Sequence, residues 1–397
     1  MDRTSDRVNR LSESATIAMA RKARELKSQG QDIISLSLGE PDFNTPDFIK
    51  NAAKEGIDQN YSKYMPVNGY QDLREAISKK FSRDNEINYN LGQIVVSTGA
   101  KQSIANVVLS CVNPGDEVIV PTPFWVSYEE IIKMAEGIPV FIETSIENDF
   151  KISPSQLQKA ITEKTKMMIY SSPCNPSGSV YSKDELRSLA DILVQFPEIT
   201  VVSDEIYEHI NFTNNYFSMG AFNDMYNQVV TVNGVSKSFA MTGWRLGYIG
   251  APEWIAKACT KIQGQFTSGT SAISQRAAIA AISSSPSVVN EMKSAFLKRR
   301  DFVLTELKKI NGIRVNKPQG AFYVFPDISA FFNKSYDKFN INNADDLTMY
   351  LLETAKVALV TGNAFGSPNC VRISYASSIL SLKEAMSRIG ASLDKLV

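Results

Sequence analysis

Short runs rich in valine and isoleucine recur along the chain: "QIVVSTG", "DEVIVPTP", "KMMIYSSP", "ITVVSDE" and "QVVTVNG". Between them lie stretches with helical apolar spacing, such as "GAKQSIANVVLSCV" and "SKDELRSLADILVQF". A strand that is apolar on both faces belongs in a sheet covered on both sides, and parallel neighbours need a crossover between them, which is usually a helix. The pattern therefore predicts an α/β fold whose sheet is mostly parallel. A long charged helical pattern follows from Ser287 to Ile310, and beyond it "GAFYVFPDI" and "NCVRISYA" are spaced by loops and helices as in a smaller α+β unit. The boundary between the two units is expected along that helix, and 397 residues suffice for each to bury a core.

Composition narrows the function by exclusion. Lys plus Arg and Asp plus Glu are both 42, so no excess of positive charge points to nucleic acid or an anionic membrane surface. No run of about 18 apolar residues is present, and the start "MDRTSDRVNRL" lacks the apolar core of a signal peptide, so a cytoplasmic protein with a small-molecule partner is expected. The four cysteines, Cys111, Cys174, Cys259 and Cys370, lie far apart with no C-x-x-C spacing, which indicates neither a zinc site nor a disulfide framework. His209 is the one histidine, so triad chemistry would have to run through it and no histidine-rich metal site can be built. No Gly-Lys pair exists for a Walker A loop, and no G-x-G-x-x-G follows the first strand pattern, which disfavours an ATPase or a nicotinamide enzyme.

In an open parallel sheet ligands bind beyond the carboxyl ends of the strands, so the residues following each apolar run carry the chemistry. After "QIVVS" come Thr98, Gly99, Ala100 and Lys101, opening a helix whose free amides and dipole suit a phosphate. Beyond "MMIYSS" lies Asn175; after "ITVVS" comes Asp204 and then Tyr207; after "VVTVNGVS" comes Lys237, with Arg245 downstream. Singly, each has an ordinary reading: a helix cap for Asp204, a solvated amine for Lys237, a turn for Asn175-Pro176, a tight connection for Gly99-Ala100. Together they place an amine, a carboxylate, a phenol, an amide, a guanidinium and an anion seat along one edge. Pyridoxal phosphate needs such a set: an amine for its aldehyde, an acid at its ring nitrogen, donors to its phenolic oxygen and a phosphate site.

The segments "SLGEPDF", "STGAKQS", "PTPFWVSY", "SSPCNPSG", "SDEIYEHI", "GVSKSFAMTGWRLGY", "GAFYVF" and "VRISYA" resemble, in the same order over nearly the whole chain, the fold type I pyridoxal phosphate aminotransferases. The subgroup they most resemble is the bacterial aspartate aminotransferases. The resemblance implies a large domain with a mixed, mostly parallel seven-stranded sheet flanked by helices, plus a smaller α+β domain. It divides the chain into an N-terminal arm with part of the small domain (1–45), a large cofactor-binding domain (46–286), and an interdomain helix with the small C-terminal domain (287–397).

By the same resemblance Lys237 is the Schiff-base lysine, Asp204 pairs with the pyridine nitrogen, Tyr207 and Asn175 hydrogen-bond the phenolic oxygen, and Trp125 stacks on the ring. Gly99, Ala100, Lys101 and Arg245 would hold the phosphate. Many relatives have a serine where this chain has Gly234, and Ser236 or Ser238 could take over that contact. Tyr64 resembles the tyrosine that reaches the phosphate of the neighbouring subunit's cofactor, which implies a homodimer with shared active sites. Thr122-Pro123 and Asn175-Pro176 fall where the family has cis peptides.

The substrate side follows in the same way. Arg372, with Gly39, matches the family's α-carboxylate site, which implies an α-amino acid. "GQFTSGTSAIS" lacks the second arginine of animal-type enzymes, whereas Lys101 occupies the position of the lysine that binds the distal carboxylate in the bacterial subgroup; Thr16 in "ESATIAM" would line the same pocket. The expected reaction is ping-pong transamination of aspartate, with glutamate, against 2-oxoglutarate or oxaloacetate. An aminotransferase for alanine or aromatic amino acids, and a lyase or decarboxylase on the same lysine, share these cofactor residues. A regulator built on this fold would usually carry an N-terminal DNA-binding module, for which the stretch before "DIISLSLGEP" is expected to be too short.

Overall fold

The computed structural model describes residues 3–213 and 215–397, so Met1 and Asp2 of the expected N-terminal arm, and Asn214, lie outside the described residues. A two-residue strand, β1 (Ile34–Ser35), precedes the main sheet. That sheet contains β2 (Ile94–Ser97), β3 (Glu117–Pro121), β4 (Ile138–Ile142), β5 (Thr165–Ser171), β6 (Thr200–Asp204), β7 (Val229–Gly234) and β8 (Gly247–Gly250). Their order is β2-β8-β7-β6-β5-β3-β4. The block from β7 to β4 is parallel throughout, and β8 alone runs antiparallel to both of its neighbours. The sheet is thus mixed, mostly parallel and seven-stranded, as the family resemblance implies.

Both faces are covered, which is why the central strands read as continuous apolar runs. Val118, Val120, Met167, Ile169 and Val202 pack on one side with the helix Ala100–Cys111. Ile119, Met168, Tyr170 and Val201 point the other way into Leu186, Leu189 and Leu193 of the helix Lys183–Leu193. This is the period-two alternation of a strand with apolar groups on both faces.

The later strands are β9 (Tyr323–Val324), β10 (Lys334–Tyr336), β11 (Phe339–Ile341), β12 (Val357–Ala358), β13 (Val360–Thr361) and β14 (Val371–Ser374). β13-β14-β9 form an antiparallel sheet and β10-β11 a hairpin, while β12 pairs in parallel with β1. The segment around Ile34 therefore packs against the C-terminal part of the chain. The expected helix from Ser287 to Ile310 is shorter: a 3-10 turn over Pro286–Val289 leads into an α-helix at Asn290–Leu307. Pro286 suits the opening position of that turn, where the Ser285 hydroxyl accepts from the Ser287 amide, and Lys308 caps the far end of the helix. Thr122-Pro123 and Asn175-Pro176 are cis, as is Ser172-Pro173. Among the described residues no helix is long and apolar enough to cross a membrane.

Candidate active site

β2, β5, β6 and β7 end along one edge of the main sheet, and β8, being reversed, begins there. A cavity of about 280 Å³ opens over this edge. Its wall contains Ala100 and Lys101 from beyond β2, Asn175 from beyond β5, Asp204 at the end of β6, Lys237 from beyond β7 and Arg245 from just before β8. Trp125 and Tyr207 complete this wall; Gly39, Arg372 and, from the first turn of the helix Ala15–Ser28, Thr16 close the other parts.

Lys237 donates from Nζ to the carbonyl of Gly39 at 2.6 Å. Burial lowers its pKa to about 8; the positive charges of Arg372 and Arg245 act in the same direction, against the opposing pull of Glu40 and Asp204. A neutral amine is thus accessible near neutral pH. Asp204 is 5% exposed, and burial raises its pKa, while Tyr128 donates to its Oδ2 at 2.6 Å and the Ile206 amide donates to its Oδ1 at 3.2 Å. Tyr207 shares a 2.8 Å hydrogen bond with the Tyr323 hydroxyl, and burial keeps its phenol protonated well above the ordinary range.

Gly99, at φ +85°, precedes the helix Ala100–Cys111. The backbone angle favours glycine, and a Cβ there would lie 2.5 Å from Nη2 of Arg245 and push the guanidinium aside. The helix amides and a guanidinium consequently meet at one point. Lys101 stands at the cavity rim with its Nζ 5.0 Å from the Trp125 ring centre, and its pKa is lowered by burial and by Arg245.

Arg372, on β14, is 2% exposed. Its Nη1 donates to Asn175 Oδ1 at 2.9 Å and its Nη2 to the Ser37 carbonyl at 2.5 Å. The guanidinium lies 4.5 Å from the ring centre of Tyr323 and 5.0 Å from that of Phe365. Among the described residues its Nε has no hydrogen-bond partner. A buried cation on a cavity wall suits an anion.

The sequence matches the aminotransferase class I and II family over residues 31–389. The chain belongs to that family. It is 45% identical over 394 residues to a Petunia hybrida protein named bifunctional aspartate aminotransferase and glutamate/aspartate-prephenate aminotransferase, covering 98% of this chain and 82% of that one. It is also 45% identical to an aspartate/prephenate aminotransferase of Nitrosomonas europaea, covering 98% of this chain and 99% of the relative. The structure superposes on the aspartate aminotransferase of Rhizobium meliloti with a TM-score of 0.96 at 38% identity, each chain covered completely at 100%. The Thermus thermophilus enzyme with maleate gives a TM-score of 0.93 at 38% identity, with 99% and 100% of the two chains covered. Enzymes of this family are pyridoxal phosphate-dependent aminotransferases, and so is this chain.

The family residues expected from sequence fall on the cavity with two exceptions. Gly99 lies behind the wall as the helix cap, and Tyr64 stands outside it, 97% exposed. Of the two serines considered for the phosphate, Ser236 lines the cavity, whereas Ser238 turns away toward His209, 3.3 Å from its Nδ1. Ser238 is therefore removed from the phosphate set. Tyr128 and Tyr323 were not among the expected residues, yet they contact Asp204 and Tyr207. Their signal was their place in "PTPFWVSY" and "GAFYVF".

Proposed function

We propose that the chain transfers the amino group of aspartate, and of glutamate, to 2-oxoglutarate or oxaloacetate in two half-reactions that use the same cavity. The observation carrying this reading is that the cavity holding Lys237 also carries two cationic side chains suited to a dicarboxylic amino acid, Arg372 and Lys101. The names of the relatives agree with it.

The residues present fit pyridoxal phosphate. A buried carboxylate, two phenols that remain protonated, a depressed lysine and a glycine-capped helix start beside an arginine supply an acceptor for a ring N–H, donors for a phenolic oxygen, an amine and an anion seat. When bound, the group supplies the aldehyde that takes the amino group and the ring that accepts electrons from Cα. Lys237 anchors it and then, as a free amine, removes the proton from the substrate Cα. Asp204, fixed by Tyr128, keeps the ring nitrogen protonated; Tyr207 and the Asn175 amide hydrogen-bond the phenolic oxygen; Trp125 covers the ring face. Gly99, Ala100, Lys101, Arg245 and Ser236 hold the phosphate. Arg372 and the Gly39 backbone orient the α-carboxylate, and Lys101 with Thr16 receives the side-chain carboxylate.

Tyr64, wholly exposed in one protomer, is the residue through which we join two copies into a homodimer with shared sites. The proposed division of the chain remains 1–45, 46–286 and 287–397, with Arg372 on the smaller unit, and the proposed location is the cytoplasm. The test is an absorbance titration of the loaded protein with aspartate alone. Loss of the near-visible band in step with oxaloacetate release is expected; an unchanged spectrum with aspartate and a response to alanine or phenylalanine only would reject the substrate assignment. Prephenate belongs among the acceptors tested, because two relatives carry it in their names.

A further inference from the structure

His209 takes no part in the cavity wall, yet it stands immediately behind it. Its Nδ1 lies 3.3 Å from the hydroxyl of Ser238, the residue following Lys237, and its Nε2 lies 3.3 Å from Asp84 Oδ2. Ser238 is 2% exposed and the imidazole side chain 14%. Glu208 Oε1 is 3.6 Å from the same Nδ1, and the Phe239 ring packs edge-on with its centre 6.4 Å away.

The far end of this contact is rigid. Asp84 closes the helix Gln71–Asn85 and is held by Arg83 at 2.5 Å. Glu208 is paired with buried Lys80, and Asn85 Nδ2 donates to Glu208 at 2.8 Å and to Glu205 at 3.1 Å. Asp84, Glu208 and His209 do offer ligand atoms within 4.8 Å of one another, but Arg83 and Lys80 already neutralise the two carboxylates. The cluster is an anchor rather than a cation site.

The near end needs anchoring. Within the turn that carries Lys237, two backbone bonds are long, Phe239 N–H to Val235 O at 3.3 Å and Ala240 N–H to Lys237 O at 3.5 Å, while Met241 N–H to Ser236 O is ordinary at 3.1 Å. Ala240 also sits at φ +50°, a conformation that a residue with a Cβ holds only under outside constraint. Side-chain ties supply that constraint, from Thr45 Oγ1 to the Ala240 carbonyl at 2.7 Å and from His209 to Ser238.

We propose that His209 is a positioning residue for Lys237, transmitting the fixed position of Asp84 through Ser238 to the turn that aims the amine into the cavity. This rests on Lys237 bearing the cofactor, as proposed above. The test uses the loaded full-length protein and three variants, Ser238→Ala, His209→Gln and His209→Asn. Two quantities are read: the rate of cofactor release and the pH midpoint of the near-visible band.

Ser238→Ala and His209→Gln, which lose the Ser238 contact, are expected to release cofactor about three- to tenfold faster and to move the midpoint by about half to one unit, the reach of one hydrogen bond. His209→Asn, whose amide falls near the Nδ1 position, should lie between them and the parent. If Ser238→Ala and His209→Gln match the parent in both quantities, even with a lowered melting temperature, His209 is merely structural and the inference is overturned. Borohydride reduction and peptide mapping of the parent separate the two levels. Label on a residue other than Lys237 defeats the underlying reading before any variant is made.

Discussion

The two walls of the cavity are built differently. The wall proposed for the cofactor comes from residues at strand ends of one sheet, Ala100 and Lys101, Asn175, Asp204 and Lys237, each placed by a strand that leads directly into it. The substrate wall is gathered from afar: Thr16 from the first helices, Gly39 from beyond β1, and Arg372 from β14 of a separate small sheet. One wall is fixed by local sequence; the other depends on how the ends of the chain pack together. We place the chemistry common to the family on the first, α-carboxylate binding on the second, and side-chain choice on both, through Lys101 and Thr16.

Variants can break or sharpen this contrast. Lys237→Ala on the cofactor wall should lower kcat by about 10⁴-fold for every amino acid tested, since anchor and proton carrier are lost together; steady-state turnover with aspartate and alanine checks it. On the substrate wall, Arg372→Lys keeps the charge but loses the planar fork, and kcat/KM should fall about 100-fold for all α-amino acids while the cofactor spectrum stays as in the parent. Lys101→Ala should separate substrates, costing aspartate about 10- to 100-fold in kcat/KM and alanine much less, as loss of one charge-assisted bond requires. Equal losses for both would place Lys101 wholly on the cofactor wall.

The smallest effect is in stability. Burial holds Lys237 near a pKa of about 8 against an ordinary 10.5, so between these values the unfolded chain binds more protons than the folded one. The cofactor-free protein should therefore gain stability as pH rises from about 8 toward 10.5, the protonated amine being the disfavoured buried form. Denaturant midpoints across that range check it, and Lys237→Met should lack the rise.

The same contrast decides what could be read without coordinates. Asp204 and Lys237 stand directly after unmistakable apolar runs, so topology alone sends them to one edge. β4 was not recognisable as a strand because "IPVFI" contains Pro139 and lies at the sheet edge, with Ile138 and Phe141 exposed. The "GYIG" of β8 is short and flanked by glycines. Tyr128 and Tyr323 escaped notice because their importance lies in what they touch, 76 residues away at Asp204 and 116 residues away at Tyr207. Ser236 and Ser238 could not be told apart for the same reason: both flank Lys237 in sequence, but the Ser238 hydroxyl lies 3.3 Å from His209, 29 residues earlier. Local pattern identifies side chains with chemistry. It does not say which way they face.

The reversal of β8 reaches beyond strand order. Its paired neighbours β2 and β7 lead respectively to the helix that opens at Gly99 and to Lys237, so Arg245, at the entrance to β8, arrives between them as part of the same hydrogen-bonded fabric. The proposed anion seat, its counter-charge and the proposed reactive amine thus belong to one hydrogen-bonded plate. Any sliding of the small sheet would change the distance from Arg372 to that plate and leave the plate's own spacings untouched.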